Sequence, residues 1–216
     1  MKNKKKLLII AEISICAAIG FVLDFIQSQL TKTIFPYGGS IGFAMVPVIV
    51  IAYRRGLIPG VLTGLILSLI QMLGGVYVIT SDSIVDSLNS IGITNSHIHQ
   101  FFLVCGPFIQ VLLDYVLGYT LVGFAGVFFK QFISSKSIGK KIVFVVVGTI
   151  FGGMLKYISH TLSGVFFWPG EIFGISGVAY SFVYNGLYCI PCIVICVILM
   201  IILVKYYQKL FNVEEN

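Results

Sequence analysis

Apolar residues run along this chain in long blocks separated by short polar or glycine-bearing breaks. Six blocks can be drawn, at roughly residues 7 to 30, 41 to 53, 57 to 74, 101 to 129, 140 to 167 and 178 to 204; the second is short. A membrane-spanning helix needs about 20 apolar residues, so 216 residues hold about six spans and leave little for a soluble domain. The pattern predicts an all-α integral membrane protein in which residues 1–216 form a single bundle of six transmembrane helices. The composition agrees, because 58% hydrophobic and 10% charged residues, with a mean hydropathy of +1.03, cannot describe a water-soluble surface.

The formal net charge of +6 could suggest nucleic-acid binding, but its distribution orients helices instead. With the N-terminus in the cytoplasm, Lys2, Lys4, Lys5, Lys6, Arg54, Arg55, Lys130, Lys136, Lys140, Lys141, Lys205 and Lys209 fall on the cytoplasmic side. Lys32 and Lys156 are the exceptions. This bias fits the positive-inside rule for an even number of spans with both termini cytoplasmic. The first block is too long for a signal peptide and lacks a clean cleavage site.

The stretch from about 76 to 100, rich in Ser, Asp and Asn, reads as the longest extracellular loop. His97 and His99 within it could hold a metal, but a solvated loop is the plainer reading, and no metal is expected. Cys16, Cys105, Cys189, Cys192 and Cys196 lie mostly inside apolar runs. Cys189 and Cys192 make an isolated C-x-x-C without a second pair, so no metal or redox site is expected there either.

Gly56, Gly60, Gly64 and Ser68 recur every fourth residue and would line one helical stripe, where small side chains let helix backbones approach closely in lipid. That stripe reads as internal packing. A second small-residue face on the first helix, at Ser14 and Ala18 with Ala11 and Ala17 nearby, is a candidate surface for a partner.

Polar groups inside membrane spans are functional candidates. Between Lys156 and Asn185 the chain carries Lys156, His160, Trp168, Tyr180, Ser181, Tyr184 and Asn185, a mixture of donors, acceptors and ring faces suited to a small polar heteroaromatic ligand. A helix rises about 1.5 Å per residue, which puts Asp114 and Lys156 at a common level about 24 Å from the cytoplasmic end, with His160 and Asn185 farther out. Three helices thus converge on an outward-facing pocket. Asp114 needs a partner in this setting, either Lys156 in a structural ion pair or the ligand. Lys156 and His160, four apart, share a face, and Trp168 is either an interfacial belt residue or a stacking surface. Tyr180 and Asn185 are five apart, so Tyr180 could precede the first turn of its helix.

The stretches P-Y-G-G-S (Pro36 to Ser40), Y-R-R-G (Tyr53 to Gly56), L-L-D-Y (Leu112 to Tyr115), K-Y-I-S-H (Lys156 to His160) and V-A-Y-S-F-V-Y-N-G (Val178 to Gly186), in this order on a six-helix plan, carry a resemblance. The chain resembles the thiamine-specific substrate-binding subunits (S components, ThiT type) of energy-coupling-factor vitamin transporters. The resemblance implies a thiamine pocket near the extracellular side with Asp114, Tyr115, His160, Trp168, Tyr180 and Asn185 as contacts, supported by Lys156 and Tyr184. It also implies a prokaryotic plasma-membrane protein, without cofactor or catalytic residue, that docks a transmembrane coupling subunit and two ATPases through the face around Ser14 and Ala18. The family position matching Asp114 is often Glu, and some members carry a Glu where this chain has Gly42. No G-x-x-x-x-G-K-[ST] occurs, so the ATPase motor comes from other chains. Ser159 beside His160 makes no catalytic dyad, since neighbours on a helix point about 100° apart. A stand-alone proton-coupled thiamine carrier using Asp114, Lys156 and His160, and an S component for another vitamin, are the alternatives.

Overall fold

The computed structural model describes residues 2–35 and 38–212; Pro36 and Tyr37 of the P-Y-G-G-S stretch lie outside the described residues. The chain is mostly helical. In order come α1 (Lys2–Thr31), α2 (Val46–Arg55), α3 (Leu57–Leu73), α4 (Ser81–Ser90), α5 (Ser96–Val111), α6 (Leu117–Val122), α7 (Phe129–Ser134), α8 (Ile138–Phe167) and α9 (Gly177–Tyr206). The run from α5 to α7 is one continuous helical path whose geometry changes twice. It widens to a π-turn at Leu112–Val116 and tightens to a 3-10 turn at Gly123–Phe128. Between α8 and α9, two short antiparallel strands, β1 (Glu171–Ile172) and β2 (Ile175–Ser176), make a small hairpin.

Among the described residues, four helical stretches are long and apolar enough to cross a membrane: Asn3–Thr31, Ser96–Ser134, Ile138–Phe167 and Gly177–Tyr206. Helix α3 is shorter at 17 residues, and α2 has ten. The short second block is therefore not a helix over its whole length. Residues 41–45 precede the helix, and α2 itself is packed on all sides, with Pro47 to Tyr53 buried. A ten-residue apolar helix is about 15 Å long and behaves as a core element.

The 76–100 stretch is more ordered than a solvated loop. Thr80 caps α4 by accepting from the Ser83 backbone N–H, and Asn95 caps α5 by accepting from those of His97 and Ile98, the ordinary means of satisfying a helix's first donors. Helix α4 buries Ile84 and Leu88 against Phe167 of α8, and Ser87 Oγ donates to the Val165 carbonyl at 3.2 Å. His99 Nε2 lies 2.6 Å from the Ile93 carbonyl, and no metal-binding group of three or more His, Cys, Asp or Glu occurs among the described residues. All five cysteines are free thiols.

Glycine stripes hold the bundle together. A methyl group on Gly64 would stand 2.1 Å from the Tyr119 carbonyl oxygen, and one on Gly60 would meet Ala52 and the Gly123 carbonyl. Helix α3 therefore lies directly on the backbone of α6 and the 3-10 turn, with Ser68 buried on the same line. Gly56 does not belong to this stripe: its φ of 100° breaks the chain between α2 and α3, a left-handed conformation that glycine adopts without strain. Gly148 and Gly152 of α8 are equally close to the carbonyls of Ala125 and Val122. Gly64→Ala should destabilise the protein by about 1 to 3 kcal/mol through overpacking, read as a lower thermal midpoint in detergent.

One ionic clamp stands apart from this apolar packing. Glu12 of α1 accepts from Arg54 at 2.9 Å and from Arg55 at 2.5 and 2.8 Å, and Arg54 also donates to the Leu210 carbonyl at 2.6 Å. It ties α1 to the end of α2 and to the segment after α9.

Candidate functional site

The π-turn carries Asp114 and Tyr115. Helices widen in this way mostly at functional positions, because the extra residue re-aims side chains and leaves backbone groups to be satisfied elsewhere. Here Ser159 Oγ of α8 donates to the Leu113 carbonyl at 2.8 Å. Ser159 thus supports the turn that presents Asp114.

Asp114 Oδ2 accepts from Gln110 Nε2 at 2.9 Å and from Trp168 Nε1 at 3.0 Å, while Oδ1 lies 3.8 Å from His160 Nδ1. The structural ion pair between Asp114 and Lys156 is not formed. Lys156 Nζ instead stands 3.7 Å from the centroid of the Tyr119 ring, and among the described residues no ion pair joins it to an acid. A shared level along the helix axis did not mean a shared direction around it. The Trp168 indole is tied to Asp114 and packs at 5.4 Å against the Tyr77 ring, so it belongs to the cavity wall.

All six candidate contacts, Asp114, Tyr115, His160, Trp168, Tyr180 and Asn185, line one cavity of about 520 Å³, together with Lys156 and Tyr184. This size is ordinary for a small-molecule site. Tyr180 is inside α9, which begins at Gly177, and Tyr180, Tyr184 and Tyr188 form an aromatic stripe at helical spacing. Tyr180 and Tyr184 have ring centroids 5.5 Å apart, and Tyr188 meets His160 edge to face at 6.2 Å. Tyr184 Oη donates to the Gly38 carbonyl at 2.9 Å, which brings the 38–39 loop over the cavity.

Asn185 is fixed rather than loose. Its Nδ2 donates to the Ser181 carbonyl at 2.9 Å, its Oδ1 accepts from Tyr188 Oη at 2.5 Å, and Ser181 Oγ donates to the Thr161 carbonyl at 2.7 Å. A side chain at Gly164 would strike Ser181 Oγ at 2.1 Å, so glycine there lets α8 and α9 close beneath the site. His160 Nε2 is buried beside Gly118 without a hydrogen-bond partner among the described residues.

A smaller chamber of about 300 Å³ adjoins this cavity and shares Gln71, Tyr119, Lys156, His160 and Tyr188 with it. Its far wall is Asp24 of α1, 5% exposed, which accepts from Gln71 Nε2 at 2.7 Å, from Gln27 Nε2 at 3.3 Å and from Tyr119 Oη. Gln27 also donates to Ser40 Oγ at 2.9 Å and accepts from the Ala44 backbone N–H. A side chain at Gly42 would meet Gln27 Oε1 at 2.1 Å, so Gln27 fills the space above that glycine.

The sequence of this architecture matches a family profile, described as thiamine transporter protein (Thia_YuaJ), over residues 10–88 and 91–212. The chain belongs to the thiamine transporter family. It is 31% identical over 219 residues to the thiamine transporter ThiT of Bacillus subtilis, with all of both chains covered. It is 25% identical over 220 residues to that of Lacticaseibacillus paracasei, covering 100% of this chain and 96% of the relative. A solved structure of ThiT from Listeria monocytogenes superposes with a TM-score of 0.70 at 28% identity, covering 96% of this chain and 98% of that one. As a member of the thiamine transporter family the chain is a multi-pass protein of the cell membrane and a transporter, not an enzyme.

Tyr77, Gln71, Tyr188 and Asp24 belong to the site region and were not singled out from the sequence. The Tyr180, Tyr184, Tyr188 spacing was a usable signal. For Asp24, an acid inside the first apolar block, the membrane cost of a carboxylate was the signal.

Proposed function

We propose that this protein is the thiamine-binding S component of an energy-coupling-factor importer, binding the vitamin in the 520 Å³ cavity. The observation that carries the reading is a carboxylate, Asp114, that lines one cavity with the rings of Trp168, Tyr180, Tyr184 and Tyr188. A negative charge walled by aromatic rings suits a flat cationic heteroaromatic ligand. Asp114, Tyr115, His160, Trp168, Tyr180 and Asn185 are the proposed contacts, with Lys156 and Tyr184 in support.

In this reading residues 1–216 are one domain that crosses the membrane six times with both termini cytoplasmic, the 41–55 stretch that ends in α2 and the helix α3 serving as the second and third crossings. Residues 76–100, including α4, then cap the extracellular side. The one-sided placement of the basic residues supports this orientation. A coupling subunit and two ATPases supply the energy, and the coupling subunit docks at Ser14 and Ala18. Both of these are exposed on α1, while Ala17 is turned inward and buried.

The test is intrinsic fluorescence of the purified chain titrated with thiamine. Trp168 is the only tryptophan, so stacking on the ligand quenches the signal. Trp168→Ala, which removes the fluorophore and is therefore titrated by calorimetry, should cost about 1 to 3 kcal/mol of binding while expression holds. Full affinity in that variant, or recovery of riboflavin or biotin as the co-purifying ligand, would overturn the assignment. Uptake by the chain alone, abolished by a protonophore, would favour a stand-alone carrier.

A further inference from the structure

The mechanism of cation recognition uses Asp114 but leaves a second buried carboxylate unexplained. Among the described residues Asp24 receives only donors: the amides of Gln27 and Gln71 and the hydroxyl of Tyr119. The Gln27 amide is fixed in orientation because its Oε1 accepts from the Ala44 N–H. Such a donor-only shell fits the ionised, acceptor-only form of a carboxylate. On the other face of the same chamber is Lys156, whose ammonium rests on the Tyr119 ring that Asp24 holds by its hydroxyl.

A half-buried ammonium with no counter-charge is costly and would repel a cationic ligand in a cavity partly shielded from water. Asp114 does not supply the counter-charge, since its partners are Gln110, Trp168 and His160. His160 Nε2 is buried without an acceptor and Nδ1, at 3.8 Å, is beyond hydrogen-bond reach of Asp114, so an imidazolium would leave its donors unmet among the described residues and the ring is counted as neutral. Lys32 also borders the chamber, but its ammonium is bonded to Gln29 at an exposed position where solvent screens it. The enclosed charges are then two carboxylates and one ammonium.

We propose that Asp24 is a specificity-determining residue: positioned through Tyr119 and Gln71 as the counter-charge of Lys156, it leaves Asp114 uncompensated and makes the cavity selective for a monocation. Asp24 does not touch the ligand in this arrangement. It sets the charge that the ligand must neutralise. The inference rests on the thiamine reading, since thiamine carries one permanent positive charge on its thiazolium ring.

The test titrates the purified full-length chain with thiamine and with its neutral isostere, in which carbon replaces the quaternary ring nitrogen. Asp24→Asn should lower thiamine affinity about tenfold or more and leave the isostere within about twofold, because only the charged ligand feels the change. Adding Lys156→Met to Asp24→Asn should return the thiamine-to-isostere ratio toward that of the parent. A role limited to holding α1 would lower both ligands alike, and equal losses or an unmoved ratio overturn the proposal. Should Asp24→Asn fail to fold, Lys156→Met alone decides: the ratio must rise, and an unmoved ratio overturns the proposal. A parent protein that binds neither ligand, or both equally, overturns the thiamine reading itself and this inference with it.

Discussion

Thiamine uptake should fall to background when Ala18→Trp or Ser14→Trp is produced in cells that supply the coupling and ATPase subunits. The purified variants should bind thiamine within about twofold of the parent, because the substituted face is remote from the cavity. Ser14 and Ala18 point outward on α1, flanked by exposed Ile15, Ile19 and Val22, so an indole there meets no neighbour within this chain. A partner helix packing in lipid needs the close approach that small residues allow, and an indole removes it. Radiolabelled uptake in cells and fluorescence titration of the purified protein together make the measurement. Loss of both functions would assign the face to internal packing; loss of neither would move the partner elsewhere.

The second large effect belongs to Asp114→Asn, expected to weaken thiamine binding ten- to a hundredfold, the worth of about 1.5 to 3 kcal/mol for a charge-assisted hydrogen bond. The substitution is well suited to the question. An asparagine oxygen can still accept from Gln110 and Trp168, so the supports that hold the side chain remain while its charge is gone. Unchanged affinity in a folded variant would show that the carboxylate serves only those two donors.

Much of the candidate cavity's lining is legible in the sequence, for a specific reason. Membrane spans make polar residues conspicuous, so Asp114, His160, Trp168, Tyr180 and Asn185 stand out against their surroundings, and helical rise places Asp114, His160 and Asn185 in the outer part of the bilayer. Direction around each helix was not legible. The Asp114 and Lys156 pairing failed for that reason: Lys156 faces Tyr119, and Asp114 faces Trp168. Asp24 carries the same signal, an acid inside an apolar block, but its link to the site is not legible because its partners include residues as distant as Gln71 and Tyr119. Gly56 fitted a four-residue stripe by spacing, yet its positive φ makes it a break between helices. Helix α4 inside the polar 76–100 stretch was hidden because a half-polar composition reads equally as loop.

The π-turn at Leu112–Val116 has a consequence for how this chain tolerates change in length. It holds one surplus residue inside a helix whose flanking turns keep ordinary register. Five residues of the wide turn cover about the same rotation as four of an ordinary helix, so deleting Leu112 would let a regular helix close with the flanking stretches near their present orientation. Hydropathy, span length and the facing of Gln110 and Tyr119 would survive such a deletion, and the change would fall on the aim of Asp114 and Tyr115. A one-residue gap in this stretch therefore acts on the binding site alone: a chain that keeps its fold and every recognisable motif but loses this spacing has lost the direction in which its carboxylate points.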